Sequence, residues 1–196
     1  MIAPLFDPEK PRDRLLAAAA HLFRQQGYAA TTVREIGAAV GLQSGSLFHH
    51  VRSKEDILFA VMERVIAAML ADLRLALGAA EGPRDRVRAL IAVELTYLHG
   101  PASDATSVLF HDWRALSEPR RAVLLGGRSA YFDLWDAVLA EARAEGLTAV
   151  EPAALRQLLH GALAWTSFWY RPDGAMNLDS LGAQALTMVL SAPPLR

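Results

Sequence analysis

Cysteine is absent from the 196-residue sequence, which excludes disulfide frameworks, zinc–thiolate sites, iron–sulfur clusters and thiol catalysis. Long apolar runs are missing too, because charged residues or Gly-Pro pairs interrupt every stretch before the roughly 18 apolar residues that a membrane-spanning helix needs. The first residues carry Asp7 and Glu9 in place of a basic segment, so no export signal is expected. Together these absences predict a cytoplasmic protein.

Net charge is also low, −1 at pH 7, but it is unevenly distributed. Residues 1–54 contain seven Lys or Arg and four acids, a net of +3, whereas the remainder contains 13 basic and 17 acidic side chains, a net of −4. A basic N-terminal quarter on an acidic body is typical of a chain that meets a polyanion at one end. Since 53% of the residues are hydrophobic and 21% are charged, the chain is expected to fold.

Apolar side chains recur at helical spacing along the chain, and no segment is a convincing strand. This pattern predicts an all-α protein of about nine helices. The predicted helices cover residues 12–26, 32–40, 44–50, 53 to a break at 78–83, 84–98, 102–115, 119–145, 152–170 and 178–191. Gly126 and Gly127 fall inside one of them, and each costs about 1 kcal/mol relative to alanine, so a kink or break is expected there.

Residues 32–50 have the form of a helix-turn-helix. Thr32 and Glu35 stand at the spacing of a capping box, and Gly41 can adopt the positive φ that the turn requires. The helix over 44–50 would then enter a DNA major groove, where Gln and Ser side chains can read base edges. An ordinary helical hairpin has the same form and stays open as an alternative.

The segment from Arg12 to Met62 resembles the DNA-binding domain of the tetracycline-repressor (TetR) family of bacterial regulators. The resemblance lies in the spacings G-Y-x-x-T-T-V, G-L-x-x-G-S-L and S-K-E-D, which begin at Gly27, Gly41 and Ser53. It implies a homodimeric repressor that binds a palindromic double-stranded operator. It also implies a DNA-binding domain over residues 1–53 and an effector-binding and dimerisation domain over 54–196, linked by the helix from 54.

The resemblance also implies roles for individual residues. Phosphate contacts fall to Thr31 or Thr32, Phe48, His49 and Lys54, and base contacts to Gln43, Ser44 and Ser46. Phe48 stands where the family commonly has Tyr, so only van der Waals contact remains there. The complete predicted DNA-binding set is Thr31, Thr32, Gln43, Ser44, Gly45, Ser46, Phe48, His49 and Lys54.

Residues 153–170 are apolar almost all round from Gly161 onward, and such a helix must be covered on every side. Pairing with a second copy would cover it, as the resemblance also implies, although a central core helix has the same pattern. The predicted dimer interface consists of Leu155, Leu158, Leu159, Ala162, Leu181, Ala185, Met188 and Val189.

Aromatic residues in the C-terminal helices could line an effector cavity or simply fill the core. His99, His111 and His160 could likewise contact a ligand or be interior histidines. The segment W-T-S-F-W-Y-R-P-D-G from Trp165 resembles regulators of acyl-CoA catabolism, which implies an apolar effector such as an acyl-CoA or related lipid. The predicted effector-binding set is Tyr97, Phe110, Trp113, Phe132, Trp135, His160 and Trp169.

Two other functions stay open at this point. A ligand-binding module without DNA contact would share the C-terminal features. His111-Asp112 could begin a metal-dependent phosphohydrolase site completed by Glu94, His99, Asp104 and His160. No G-x-S-x-G, phosphate loop or H-E-x-x-H is present, so no enzymatic activity, metal or cofactor is predicted.

Overall fold

The computed structural model describes residues 4–41 and 53–190. These residues form eight α-helices and a 3₁₀ turn, with no strand among them, so the prediction of an all-α protein is confirmed. The helices are α1 (Pro11–Gln26), α2 (Val33–Ala39), α3 (Lys54–Ala79), α4 (Pro83–His99), α5 (Ser103–His111), α6 (Glu118–Ala144), α7 (Pro152–Trp169) and α8 (Leu178–Val189), and the 3₁₀ turn is Trp113–Ala115. The helix predicted over 44–50 lies outside the described residues.

The ends of α1 and α2 follow the local signals in the sequence. Gly27 ends α1 with a φ of 84°, and its N–H donates to the Phe23 carbonyl at 2.9 Å. Thr32 begins α2 with the predicted capping box, in which its hydroxyl and the Glu35 carboxylate each satisfy a free backbone N–H. Gly41, with a φ of 70°, follows α2. The predicted capping box and the positive φ of Gly27 and Gly41 are therefore confirmed.

Helix α6 corrects the expectation of a break at the two adjacent glycines. The helix continues without interruption from Glu118 to Ala144. A Cβ on Gly127 would lie 2.8 Å from Cγ2 of Ile66 in α3, so the glycine lets the two helices approach closely. Gly126 has no such neighbour within 4 Å. Packing against α3 thus offsets the low helix propensity of this pair.

The chain forms two compact units, and α3 and α6 contribute residues to both. The first unit comprises Met1–Ala68 and Pro101–Arg128, and within it α1 packs on α2 and α5. Its core includes Leu15, Leu16, Phe23, Ile36, Ile57, Leu58, Val61, Met62 and Val65. The buried carboxylate of Asp13 accepts hydrogen bonds from both terminal nitrogens of Arg64, with N···O distances of 3.1 and 3.2 Å. These bonds tie α1 to α3.

The second unit comprises Met69–Gly100 and Ser129–Arg196. Here α4 packs against both α7 and α8, and α7 also contacts α8. The core includes Leu73, Val87, Leu90, Ile91, Leu95, Trp135, Leu139, Leu155, Leu159, Leu163 and Leu181. No helix in the described part of the chain is long and apolar enough to cross a membrane.

Candidate functional site

Thr31, Thr32 and Lys54 are the predicted DNA-binding residues that the structure describes. Gln43, Ser44, Gly45, Ser46, Phe48 and His49 lie outside the described residues, and the contacts predicted for them stay predictions.

The side chain of Thr31 corrects one of these predictions. It is fully buried, and its hydroxyl donates to the Gly27 carbonyl at 2.9 Å and accepts from Gln26 Nε2 at 3.3 Å. Both bonds tie the connection between α1 and α2 to the end of α1. A buried hydroxyl with internal partners cannot reach a phosphate, so Thr31 has a structural role.

Thr32 is exposed at the N-terminus of α2. Its hydroxyl donates to Glu35 Oε2 at 2.8 Å and accepts from the Glu35 N–H at 3.2 Å, and its own N–H donates to Glu35 Oε2 at 2.7 Å. These hydrogen bonds hold the pKa of Glu35 below its usual value, and the bond from the Thr32 backbone N–H has the largest effect. The charged carboxylate therefore keeps the start of the helix-turn-helix in place, and the phosphate contact of Thr32 stays a prediction.

Lys54 is bonded to the backbone of the first unit. Its ammonium group donates to the carbonyl oxygens of Tyr28, Ala29 and Thr31 at 2.7, 3.2 and 2.8 Å, and it lies 4.4 Å from the centre of the Tyr28 ring. An ammonium has only three N–H donors. Because all three have backbone acceptors, Lys54 joins the start of α3 to the α1–α2 connection, and the geometry favours this role over the predicted phosphate contact.

Ion pairs that sequence reasoning missed join the helices that flank the helix-turn-helix to other helices of the first unit. Arg24 and His21 of α1 both contact the carboxylate of Asp104 in α5, at 2.7 and 2.8 Å. Arg120 of α6 donates to Asp56 in the first turn of α3. Charged residues on exposed helix faces have no sequence signal that identifies their partners, so these pairs could not be foreseen.

Glu55, also in the first turn of α3, makes a further contact with the start of α6. Its carboxylate accepts the Ser117 N–H at 2.8 Å. This backbone hydrogen bond lowers the pKa of Glu55. The first turn of α3 is therefore fixed to α6 by two acidic side chains and to the α1–α2 connection by Lys54.

In the second unit, three predicted effector residues lie together. The imidazole ring of His160 lies 4.3 Å from the Trp135 ring and 5.0 Å from the Phe132 ring, measured between centroids. Trp135 is fully buried. Phe132 also contacts the guanidinium of Arg156, which lies 4.6 Å from the ring centre. These three residues, with the two described next, are called the aromatic cluster.

Glu94 and Tyr131 complete the aromatic cluster; Tyr131 was not predicted as a site residue, and Glu94 was named only for the phosphohydrolase alternative. The buried carboxylate of Glu94 accepts the Tyr131 hydroxyl at 2.6 Å and contacts His160 Nδ1 at 3.1 Å. Burial and the negative charge of Glu94 raise the pKa of Tyr131, which therefore remains a neutral donor. A lone acid within the apolar run Leu90–Leu98 was the available signal, since buried acids need partners.

The other predicted effector residues have different surroundings. The Tyr97 hydroxyl donates to Asp72 at 2.6 Å, and burial raises its pKa, so Tyr97 is a satisfied core residue. Trp169 is about half exposed, at 51%, at the end of α7. Phe110 is exposed and Trp113 is half-buried, and both belong to the first unit. The roles of Trp169, Phe110 and Trp113 in effector binding stay predictions.

The predicted dimer residues divide into two groups. Leu155, Leu159, Leu181 and Ala185 are buried in the core of the second unit and therefore cannot form a contact surface, which corrects their assignment. Val189 is half-buried. Leu158, Ala162 and Met188 are exposed. Helix α7 also exposes Trp165, Phe168 and Trp169, and these six exposed side chains, Leu158, Ala162, Trp165, Phe168, Trp169 and Met188, are called the apolar face.

The phosphohydrolase alternative has no support in the described geometry. Across residues 4–41 and 53–190, no three His, Asp or Glu side chains are arranged to hold a metal ion. His111 is exposed, and His99 Nε2 contacts the Thr166 hydroxyl at 2.7 Å. The absence of enzymatic activity stays a prediction.

Comparison with known proteins agrees with this architecture of a helix-turn-helix regulator. Residues 15–61 match the family model described as bacterial regulatory proteins of the tetR family, and residues 80–192 match the tetracyclin repressor-like C-terminal domain. The chain therefore belongs to the TetR family of bacterial transcriptional regulators, as its N-terminal motifs indicated.

Three similar proteins illustrate the range of the match. The transcriptional repressor KstR2 of Mycobacterium tuberculosis strain H37Rv is 29% identical over 185 residues, covering 91% of this chain and 90% of that protein. The crystal structure of superantigen pfit is 44% identical, with a TM-score of 0.84 and coverage of 96% and 94%. AibR in complex with isovaleryl coenzyme A and operator DNA is 24% identical, with a TM-score of 0.83 and coverage of 92% and 98%, which shows a shared fold.

Proposed function

We propose that this protein is a homodimeric repressor that binds a palindromic operator and releases it when an apolar effector binds. One observation carries the proposal: α2 begins with a complete capping box and is followed by a positive-φ glycine at the position where the predicted recognition helix follows. Lys54 and Arg120 fix the start of α3, the helix that follows the predicted recognition helix, to other parts of the first unit. The scaffold on which a recognition helix would be presented is thus rigidly built.

The apolar face supports the homodimer. Leu158, Phe168 and Met188 are 68%, 69% and 75% exposed, and Trp165 adds a large aromatic side chain. Apolar residues that cluster on a surface mark protein contacts, whereas scattered ones need no explanation. A second copy of the same face would cover these side chains by two-fold symmetry. The matching family model of the C-terminal domain supports the same arrangement.

The aromatic cluster supports binding of an apolar effector. Ligand sites are lined mainly by apolar and aromatic groups, with a few polar groups that set orientation. Trp135, Phe132 and His160 with Glu94 have this composition. The structural neighbour AibR, which is described with isovaleryl coenzyme A, supports an acyl-CoA or related lipid as the effector. A repressor of this kind would act in the cytoplasm, which is the location we propose.

Selection of bound duplexes from a random pool, followed by fluorescence anisotropy, tests operator binding. The expected product is a palindrome with half-site centres about 34 Å, or a multiple of that spacing, apart. Gln43→Ala and Ser46→Ala should change base preference by about 1–3 kcal/mol per affected base pair. Arg88→Ala, on an exposed part of α4, is the control. Enrichment of no sequence over random duplex would contradict the proposal.

The sequence similarity to superantigen pfit favours a second candidate function. Because the two chains are 44% identical over 96% of this chain, the second candidate function is that of a superantigen. The direct test is T-cell proliferation with the purified, endotoxin-free protein, using heat-denatured protein as the control. Stimulation without any selected operator would favour this second function, and an operator without stimulation would favour the first.

A further inference from the structure

The hydrogen bonds of Glu94 determine which nitrogen of His160 carries a proton. The Glu94 carboxylate is buried, and its two oxygens accept the Tyr131 hydroxyl and contact His160 Nδ1. An ionised carboxylate can only accept hydrogen bonds, so Nδ1 must donate. In the neutral imidazole the other nitrogen, Nε2, is then an acceptor.

Aromatic rings hold the imidazole of His160 in this orientation. The Trp135 ring lies beside it with an interplanar angle of 34°, and the Phe132 ring meets it edge-on at 73°. Tyr131 adds a third ring at 6.1 Å. Rotation of the imidazole would break both the stacking and the bond to Glu94, so Nε2 points in a defined direction.

His160 Nε2 is buried and has no hydrogen-bond partner among the residues that the structure describes. Nearly all buried polar groups in native proteins are paired, and an unpaired one is costly. The side chain as a whole is 15% exposed, but the Nε2 atom itself is buried. The neighbouring indole N–H of Trp135 is also buried without a hydrogen-bond partner in the described part of the chain.

We propose that His160 Nε2 accepts a hydrogen bond from a hydroxyl group of the effector, and that the effector is therefore a hydroxyl-bearing apolar molecule. A hydroxyl can donate to the imidazole and still accept from a neighbouring N–H, which suits a site where both Nε2 and the Trp135 N–H lack full partners. The three aromatic rings supply the apolar surroundings. This inference rests on the proposed effector-binding function.

Nitrogen-15 NMR of histidine-labelled protein tests the premise without any ligand. The His160 signals are identified by their loss in His160→Phe, which retains an aromatic ring at this position. We expect the proton on Nδ1, which faces Glu94, and a free lone pair on Nε2. A proton on Nε2 in the ligand-free protein would overturn the proposal, because the acceptor would not exist.

Paired ligands test the proposal itself. Saturated acyl-CoA thioesters, beginning with isovaleryl-CoA, are titrated beside their 3-hydroxy counterparts, and binding is measured by calorimetry. The wild type should bind the hydroxylated member of at least one pair about tenfold more tightly, the worth of one well-formed hydrogen bond. His160→Phe should abolish this preference. Phe132→Leu is the matched control, because it should weaken both members of the pair equally.

The outcomes separate this inference from the proposed function. If acyl-CoA thioesters bind and release operator DNA but hydroxylated and plain members bind equally, the hydroxyl inference fails and the repressor function stands. Preference that survives in His160→Phe also overturns it. If no member of any pair binds, effector binding by acyl-CoA fails and this inference falls with it.

Discussion

Two side chains beside the helix-turn-helix, Thr31 and Lys54, make internal hydrogen bonds that their sequence motifs did not predict. Thr31 and Lys54 belong to motifs for which phosphate contacts are expected, yet the hydroxyl of one and the ammonium of the other are bonded to backbone carbonyls of the same unit. Polar side chains with internal partners preserve the shape of a binding surface without touching the ligand. Substitutions at such positions should therefore change stability first.

Lys54→Met should lower the free energy of unfolding by about 2 kcal/mol, because it removes a charged donor from three carbonyls. For a chain of this size that corresponds to a fall in melting temperature of about 4–8 °C, measurable by calorimetry. Lys10→Met is the control, since Lys10 is exposed and pairs only with Asp7.

The same Lys54 variant separates the two roles in operator binding. A structural lysine leaves the salt dependence of binding unchanged, whereas a lost phosphate contact lowers the slope by about one. Unchanged stability together with a lower slope would contradict the structural role.

The Asp13–Arg64 pair should make stability depend on pH. Burial acts to raise the pKa of Asp13, but hydrogen bonds from Arg64 and the Asp7 N–H outweigh it and hold the pKa below the usual 3.8. A carboxylate with a depressed folded-state pKa stabilises the fold above its unfolded pKa, and this contribution is lost as the pH falls through the folded value.

Asp13→Asn should therefore cost about 1–2 kcal/mol at pH 7, and its difference from the wild type should shrink below about pH 4. Urea unfolding at a series of pH values measures this difference. Asp85→Asn, in an exposed pair with Arg88, should differ little from the wild type throughout. A difference that persists undiminished at pH 2 would contradict the assignment.

At the scale of the element, helix continuity depends on what lies beside the helix as well as on its own residues. Two adjacent glycines in α6 predict a weak point, but the helix runs through them. A Cβ on Gly127 would lie only 2.8 Å from Cγ2 of Ile66, which is too close, whereas a Cβ on Gly126 would have no neighbour within 4 Å. The two glycines should therefore respond in opposite ways to the same substitution.

Gly127→Ala should destabilise the protein by about 1–3 kcal/mol, since the new Cβ would force Ile66 and its helix apart. Gly126→Ala should stabilise it by up to about 1 kcal/mol through higher helix propensity. Both are measured by thermal unfolding of otherwise identical chains. Equal effects of the two substitutions would show that contact with Ile66 is not the reason for the glycine.

At the scale of the whole molecule, the apolar face is the feature that a single chain leaves uncovered. One face of α7 enters the core through Leu155, Leu159 and Leu163, while the opposite face exposes Leu158, Trp165 and Phe168. The sequence from Gly161 onward is apolar almost all round, but only the folded chain separates the core side of α7 from its exposed side.

Leu158→Asp combined with Phe168→Asp should convert the proposed dimer into a monomer, because charges would be placed in an apolar contact. Light scattering after size-exclusion chromatography measures the mass, and circular dichroism checks that the helices persist. Val123→Asp, an exposed apolar position in the first unit, is the control. A folded double variant that keeps the mass of a dimer would contradict this interface.

The sequence by itself determined the helices, the capping box of Thr32 and Glu35, the turn glycines Gly27 and Gly41, and the family. These features depend on residues within about one or two helical turns of each other, so their physical causes lie inside a short window. The partners of Lys54, the joining of Glu94 with Tyr131 and His160, and the division of α7 into core and exposed faces were decided only by the tertiary structure. Those contacts join side chains separated by 23 to 66 residues, and no local spacing specifies which helices will meet.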